Sequence, residues 1–290
     1  MGADLICHWQ VGRVRVTRIV EIWPFVDPPN NLFLEGTPDG VRRHAWLVPE
    51  HATARGEILL AFQSFLITTG DRRILVDTCL GRDKTRVHKV FDAVQSTFLE
   101  DLEQVGVPAH IVDTVLCTHL HHDHVGWNTR LEQGRWVPTF PRARYLISQR
   151  EWSSSQCPSN GENSAPHLNE SVIPLFESGC VDLVADNHQI CEEVQLEPTP
   201  GHSPGHVSVH IHSEGQHAII TGDLMHHPIQ CAEPQWRTHF CSDHEQARRT
   251  RLAFLQRYEG RRALIIGSHF GGATGGWIVR DGETWRIEWT

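Results

Sequence analysis

The sequence predicts an α/β protein of two similar halves, with sheets inside and helices outside. Two observations carry this. β-Branched and apolar runs recur along the chain, and in each half they alternate with a segment of helical spacing. The order is strands, helix, strand, then strands, helix, strand, although no sequence repeat is strong enough to prove duplication.

In the first half, residues 14–22 alternate like a strand until Pro24, Pro28, Pro29 and Asn30 break the pattern. Residues 23–56 have little periodicity and read as an irregular N-terminal strap. Residues 58–69 and 73–77 are two apolar strands joined by a turn at Gly70-Asp71. Val90, Phe91, Val94, Phe98, Leu99 and Leu102 give 90–104 helical spacing, and 111–118 is a β-branched run typical of a buried strand. A short strand follows at 144–148. The Ser-, Asn-, Pro- and Gly-rich stretch 153–166 reads as a mobile surface loop, and 168–178 as a helix despite Pro174. In the second half, strands are expected at 194–197, 207–212, 218–221 and 264–266, with a helix at 245–257. The last hairpin, 277–289, turns at Asp281-Gly282. All 290 residues are expected to form one domain.

Composition excludes some functions. The formal net charge is −9 and the densest basic stretch, Arg248 to Arg251, is short and interrupted, so a nucleic-acid partner is not expected. No run approaches the roughly 18 apolar residues of a membrane span, and the first ten residues lack an apolar signal core. A soluble, cytoplasmic protein is therefore expected, with a small-molecule substrate. The sequence allows a homodimer without requiring one. Eight cysteines form no C-x-x-C pair and read as reduced thiols, Cys117 among them in an apolar run. The chain also carries 21 histidines. Histidine in such number is informative only where it falls at positions suited to ligands.

Several do. The stretch Thr118-His119-Leu120-His121-His122-Asp123-His124 directly follows the predicted buried strand. His119 and His121 are two apart and face the same way in extended backbone. Four nitrogen and oxygen donors within six residues can serve two ions but would crowd one. His122 points away from its neighbours and is not expected to be a ligand. Three more candidates each follow a short apolar strand: His202 in Thr-Pro-Gly-His, Asp223 in Ile-Thr-Gly-Asp, and His269 in Ile-Gly-Ser-His. A glycine one or two residues earlier lets the backbone turn at each.

This set resembles the metallo-β-lactamase superfamily, whose H-x-H-x-D-H motif is followed by single His, Asp and His ligands. The resemblance covers roughly residues 58–290 and implies a four-layer αβ/βα sandwich. It implies that His119, His121 and His202 hold one metal ion, that Asp123, His124 and His269 hold a second, and that Asp223 bridges them. Asp77, in Ile-Leu-Val-Asp-Thr, matches a buried aspartate that supports the ligand loop. Mixed imidazole and carboxylate ligands suit zinc, with manganese, iron or cobalt as alternatives. A metal-bound water, its pKa lowered to about 7, would then be the nucleophile.

Within the superfamily, zinc β-lactamases often carry cysteine where Asp223 stands. Glyoxalase II-like enzymes add a C-terminal helical part, whereas the 21 residues after His269 look like strands. Flavodiiron proteins replace the second motif histidine with glutamate. The strap, the Gly222-Asp223-Leu-Met-His226 segment and the Gly-Ser-His269-Phe270 ending look most like the quorum-quenching lactonase and methyl parathion hydrolase branch. That resemblance implies hydrolysis of a lactone or related ester, with phosphotriester or aryl-ester hydrolysis as the alternative. A thioesterase or a non-catalytic metal-binding protein is a weaker alternative. Acyl-homoserine lactonases place a tyrosine three residues after the bridging aspartate; here that position is His226, expected to contact the substrate oxygen. His206 is expected to be structural or to support a ligand. Trp127 and Phe270 are apolar candidates for substrate contact, although core packing is the commoner role for a tryptophan.

Overall fold

A computed structural model describes residues 6–86, 89–92, 94–156 and 166–290. The chain divides into two compact units. The first comprises Met1–Ile22 and Phe62–Asp186, the second Trp23–Ala61 and Asn187–Thr290.

The first unit is organised by a seven-stranded sheet of β1 (Cys7–Val11), β2 (Val14–Asp27), β3 (Ile58–Thr69), β4 (Arg72–Val76), β5 (Thr114–Cys117), β8 (Arg144–Ser148) and β9 (Val181–Val184), in that order. A separate hairpin holds β6 (Thr129–Glu132) and β7 (Arg135–Pro138). The β3–β4 turn is at Gly70-Asp71, as the sequence predicts, and β4, β5, β8 and β9 run parallel. All four residues of β5 are buried, which explains its unbroken apolar run. The predicted helix over 90–104 is shorter. The regular helix is Phe98–Gln104, with Ser96 Oγ accepting from the Phe98 N–H. Val90 is 63% exposed, so its helical spacing marks no buried face. The predicted 168–178 helix is two pieces, Pro166–Ser171 and Ile173–Glu177, because Pro174 cannot continue the first and instead opens the second. Of the predicted loop 153–166, residues 153–155 finish the helix Gln149–Ser155 and 157–165 lie outside the described residues.

The second unit holds a seven-stranded sheet in sequential order: β10 (Gln189–Cys191), β11 (Val194–Pro198), β12 (Val207–Ser213), β13 (Gln216–Ile220), β14 (Ala263–Ile266), β15 (Gly275–Asp281) and β16 (Thr284–Trp289). Only β13 and β14 are parallel, with Ile220 opposite Ile266. The long helix His244–Tyr258 starts where the Asp243 carboxylate accepts from the Gln246 N–H at 2.9 Å, an N-cap. It buries Phe254, Leu255 and Tyr258 in one cluster with Ile265, Ile278, Trp285 and Ile287. The strap is more ordered than its composition suggests. Two short helices, Pro29–Leu32 and Pro38–Arg42, place Leu32, Phe33, Val41 and Leu47 in a core cluster with Ile229 and Trp236. Among the described residues, no helix is long and apolar enough to cross a membrane.

His227 is fully buried in the second unit. Its Nε2–H donates to the His51 carbonyl at 2.8 Å, and its Nδ1 accepts from the Ile229 N–H at 3.1 Å. A second ring proton would meet that N–H, and burial pushes the His227 pKa down to about 4 from 6.5. The unfolded chain therefore binds more protons between those values. The neutral ring's stabilisation is present above pH 6.5 and is lost as pH falls toward 4, by on the order of 3 kcal/mol. Urea unfolding across pH 7 to 4 should show this loss, and a His227→Gln variant should show a flatter dependence.

Candidate metal centre

In the first unit, the parallel β4–β5 register places Val76 opposite Leu116, so the residues just past both strand ends are neighbours. Asp77 adopts a φ of +58° there and turns its carboxylate back into the protein. Oδ1 accepts from the Thr118 N–H at 2.7 Å; Oδ2 accepts from Thr118 Oγ1 at 2.9 Å and from His124 Nδ1 at 2.8 Å. With Nδ1 used, the other nitrogen of His124, Nε2, is the one left for a ligand bond. Thr118 Oγ1 also lies 3.1 Å from His119 Nδ1, leaving Nε2 of that ring. Glu151 holds the loop from behind by accepting from the Leu120 N–H at 3.1 Å.

These supports gather the motif. The His119 ring centroid lies 4.6 Å from that of His121 and 4.1 Å from that of His124. Candidate donor atoms of His119 and His121 lie within 4.8 Å of each other, as do those of Asp123 and His124. His119 and His124 are buried, while His121 and Asp123 are partly open. His122 is about one-third exposed, with its Nδ1 3.7 Å from Asp123 Oδ1.

In the second unit, Asp223 and His269 each stand three residues past the ends of the parallel strands β13 and β14. His202 follows β11 through Gly201, whose φ is +132°. A Cβ there would sit 2.2 Å from the Ala247 nitrogen, so the turn that delivers His202 tolerates only glycine. His202 Nε2 lies 3.3 Å from Asp223 Oδ2, and His269 Nε2 lies 3.2 Å from Oδ1. Oδ1 thus faces the His269 imidazole, and Oδ2 faces that of His202 with His226 beside it. His206 stands behind them. Its Nδ1 donates to the Thr199 carbonyl at 3.1 Å and its Nε2 accepts from the Asp223 N–H at 2.8 Å. Both its nitrogens are committed, so it positions Asp223.

The donor chemistry fits a cation. His269 Nδ1 lies 2.9 Å from the Ala61 carbonyl, which can only accept, so that nitrogen carries the proton. In the neutral ring the Nε2 lone pair then faces the lone pairs of Asp223 Oδ1 at 3.2 Å. His269 and Asp223 could hold a divalent cation there, which would offset that repulsion. Cys241 Sγ, 3.7 Å from His202 Nδ1, backs the third ring.

His226 is 4% exposed, which makes it an interior residue. Its N–H donates to Gln230 Oε1 at 2.8 Å, and its ring lies parallel to that of His269, 5.9 Å away. Nε2 is 3.1 Å from Asp223 Oδ2 but without the geometry of a hydrogen bond, and among the described residues neither ring nitrogen has a hydrogen-bond partner. Trp127 and Phe270 pack in the interior. Trp127 stacks on Phe98 at 5.9 Å and donates to Glu21 Oε1 at 2.7 Å; Phe270 is fully buried, with its ring edge-on to Trp289. Both are large apolar side chains that their own cores absorb.

Sequence reasoning did not find Thr118, Glu151, Cys241 or the Ala61 carbonyl as supports of the ligand rings. Thr118 had a signal, since it adjoins the motif. The others approach from 27 or more positions away with no pattern of their own.

Strand-end histidines and aspartates gathered in this way have the donor chemistry of a metal-binding hydrolase. The chain belongs to the metallo-beta-lactamase superfamily, whose sequence profile matches residues 63–269. Its fold is the α/β fold of that superfamily. An N-acyl homoserine lactonase of Bacillus sp is 26% identical over 181 residues, 57% of this chain and 64% of that protein, so the match leaves more than a third of the relative uncovered. The hydrolase AbOPH of the beta lactamase superfamily superposes with a TM-score of 0.80 at 22% identity, covering 100% of this chain and 99% of its own. AidC, a dizinc quorum-quenching lactonase solved with the product N-hexnoyl-L-homoserine, gives 0.76 at 20% identity, covering 99% and 98%.

Proposed function

We propose that the chain is a dinuclear metal-dependent hydrolase that opens a lactone, such as an acyl-homoserine lactone, or a related small-molecule ester, with residues 1–290 acting as one catalytic domain. His119, His121 and His202 hold one divalent ion, Asp123, His124 and His269 the other, and Asp223 serves both; zinc suits this donor set. One observation carries the reading. The two oxygens of Asp223 face two different histidines, at 3.3 Å and 3.2 Å, which is what a bridging carboxylate requires. Superfamily membership and lactonase relatives support the reaction class. Two divalent ions held there supply Lewis acidity and a water that ionises near neutral pH.

The chain's own residues do the rest. Asp77, Thr118 and His206 keep the ligands in place. His226, buried and with neither ring nitrogen hydrogen-bonded among the described residues, donates a hydrogen bond to the substrate carbonyl or leaving oxygen. A histidine where acyl-homoserine lactonases place tyrosine also favours a second reading, phosphotriester or aryl-ester hydrolysis.

Elemental analysis of protein purified without chelator should give two ions per chain. One ion, unchanged by added zinc or manganese, would refute the dinuclear arrangement. On metal-loaded protein, His226→Phe should lower lactone turnover by about ten- to a hundredfold, the equivalent of a lost hydrogen bond of roughly 1–3 kcal/mol in a dry site, with both ions retained. Full activity in that variant would remove His226 from the reaction. Lactone and phosphotriester panels run together decide between the two substrates. Phosphotriester turnover without lactone cleavage would select the second reading.

A further inference from the structure

Three histidines that belong to neither metal set share one face of the β12–β13 hairpin. His210 and His212 are two apart on β12 and therefore project to the same side. His217 on β13 is the direct cross-strand partner of His212, and His210 lies diagonally from it. Ile211, between the two β12 histidines, is fully buried, whereas His210 and His212 are partly exposed and His217 is exposed. The histidine face is thus the open side of the hairpin.

The rings converge. His210 Nε2 and His217 Nδ1 are 3.1 Å apart, and their rings stack with centroids 5.3 Å apart. His212 sits 5.9 Å from His210 and 6.5 Å from His217, ring to ring. Two nitrogens bound to one ion at about 2.0–2.1 Å are separated by about 2.9 Å at a right angle and about 3.4 Å at the tetrahedral angle. The His210–His217 pair already has that span, and His212, the outlying ring, joins it only by rotating its side chain toward the pair. Burial, then the neighbouring His217 and His212, push the His210 pKa down to about 4, so this ring is neutral and its lone pair available at neutral pH. The nearby Arg257 is paired with Glu197 at 2.6 Å, which offsets its charge.

We propose that His210, His212 and His217 form a surface site for one divalent late transition cation of the zinc, nickel or copper class, additional to the two sets described above. Neutral imidazoles prefer these borderline ions to calcium or magnesium, which need oxygen donors. Water completes the coordination on the exposed side.

The test uses the holoenzyme with its own ions in place, titrated calorimetrically with nickel and then with copper. The parent should take up one further equivalent. His210→Ala and His217→Ala should each weaken that uptake at least tenfold. Both variants should keep the parent's metal content after dialysis and its hydrolytic rate, since neither residue belongs to the catalytic machinery. No further equivalent in the parent, or equal uptake by parent and variants, overturns the proposal. So does a pair of variants that loses thermal stability but no metal uptake, which reduces the cluster to a hydrogen bond between side chains. Dialysis-resistant ions report on the catalytic centre and titrated ions on this face, so the two proposals fail separately.

Discussion

Asp223→Ala should abolish hydrolysis and strip metal from the protein. The expected fall in rate is on the order of 10³-fold or more, equivalent to about 4 kcal/mol. The size follows from geometry. Removing the carboxylate deletes the group that both His202 and His269 face, so the two proposed ligand sets would lose their common member at once. It also leaves His206, whose Nε2 grips the Asp223 backbone, holding a residue with nothing to present. Metal content and kcat are measured together, with circular dichroism to verify folding. His122→Ala is the matched comparison. It alters a partly exposed side chain within the same motif and should stay within about twofold of the parent, as an ordinary surface substitution does. If the two variants behaved alike, the ligand assignment would be wrong.

Asp77→Asn should lower metal affinity or activity by about 10- to 100-fold without direct contact with substrate, the usual cost of losing a partner that orients a ligand. Asp77 accepts three hydrogen bonds, from Thr118 N–H, Thr118 Oγ1 and His124 Nδ1. An asparagine amide can still accept at one atom, but its NH₂ then points a donor at donors. His124 loses the bond that fixes its ring, so the set with Asp123 and His269 should release its ion first. A chelator-competition series reads this directly. Equal loss from both sets would show instead that Asp77 supports the whole motif through Thr118.

Much of the candidate site was legible because each candidate ligand follows the end of a strand by two to seven residues. β5 announced itself as an unbroken buried run ending at the motif, and β13 and β14 as short apolar runs ending before glycine. The edge strands did not. β1, β6, β7 and β10 are only three to five residues long and mostly half-exposed or exposed, so even the alternation of β1 is too short to stand out. The 90–104 helix was overextended because Val90 and Val94 share helical spacing with Phe98 without sharing its core. Trp127 and Phe270, singled out for lying near the ligand motifs, are core residues. Proximity in sequence to a ligand says nothing about which side of the backbone an aromatic ring takes. The supports of the ligand rings were the least legible part, because a carbonyl such as that of Ala61 has no side-chain signature.

The strap has a consequence for how the protein is made. Leu32, Phe33, Val41 and Leu47 pack with Ile229 and Trp236, nearly two hundred positions later in the chain. On the ribosome, at about 5–20 residues per second, that partner surface emerges roughly 10–40 seconds after the strap does. The stretches Met1–Ile22 and Phe62–Asp186 are complete well before then and can collapse on their own core, while the strap has only near neighbours such as Ile58 and Leu60 of its final cluster to pack on. Nascent chains stalled between residues 190 and 225 should therefore be the species most prone to aggregation and to holding by chaperones. Polar substitutions at Leu32 or Phe33 should relieve that exposure while weakening the finished protein.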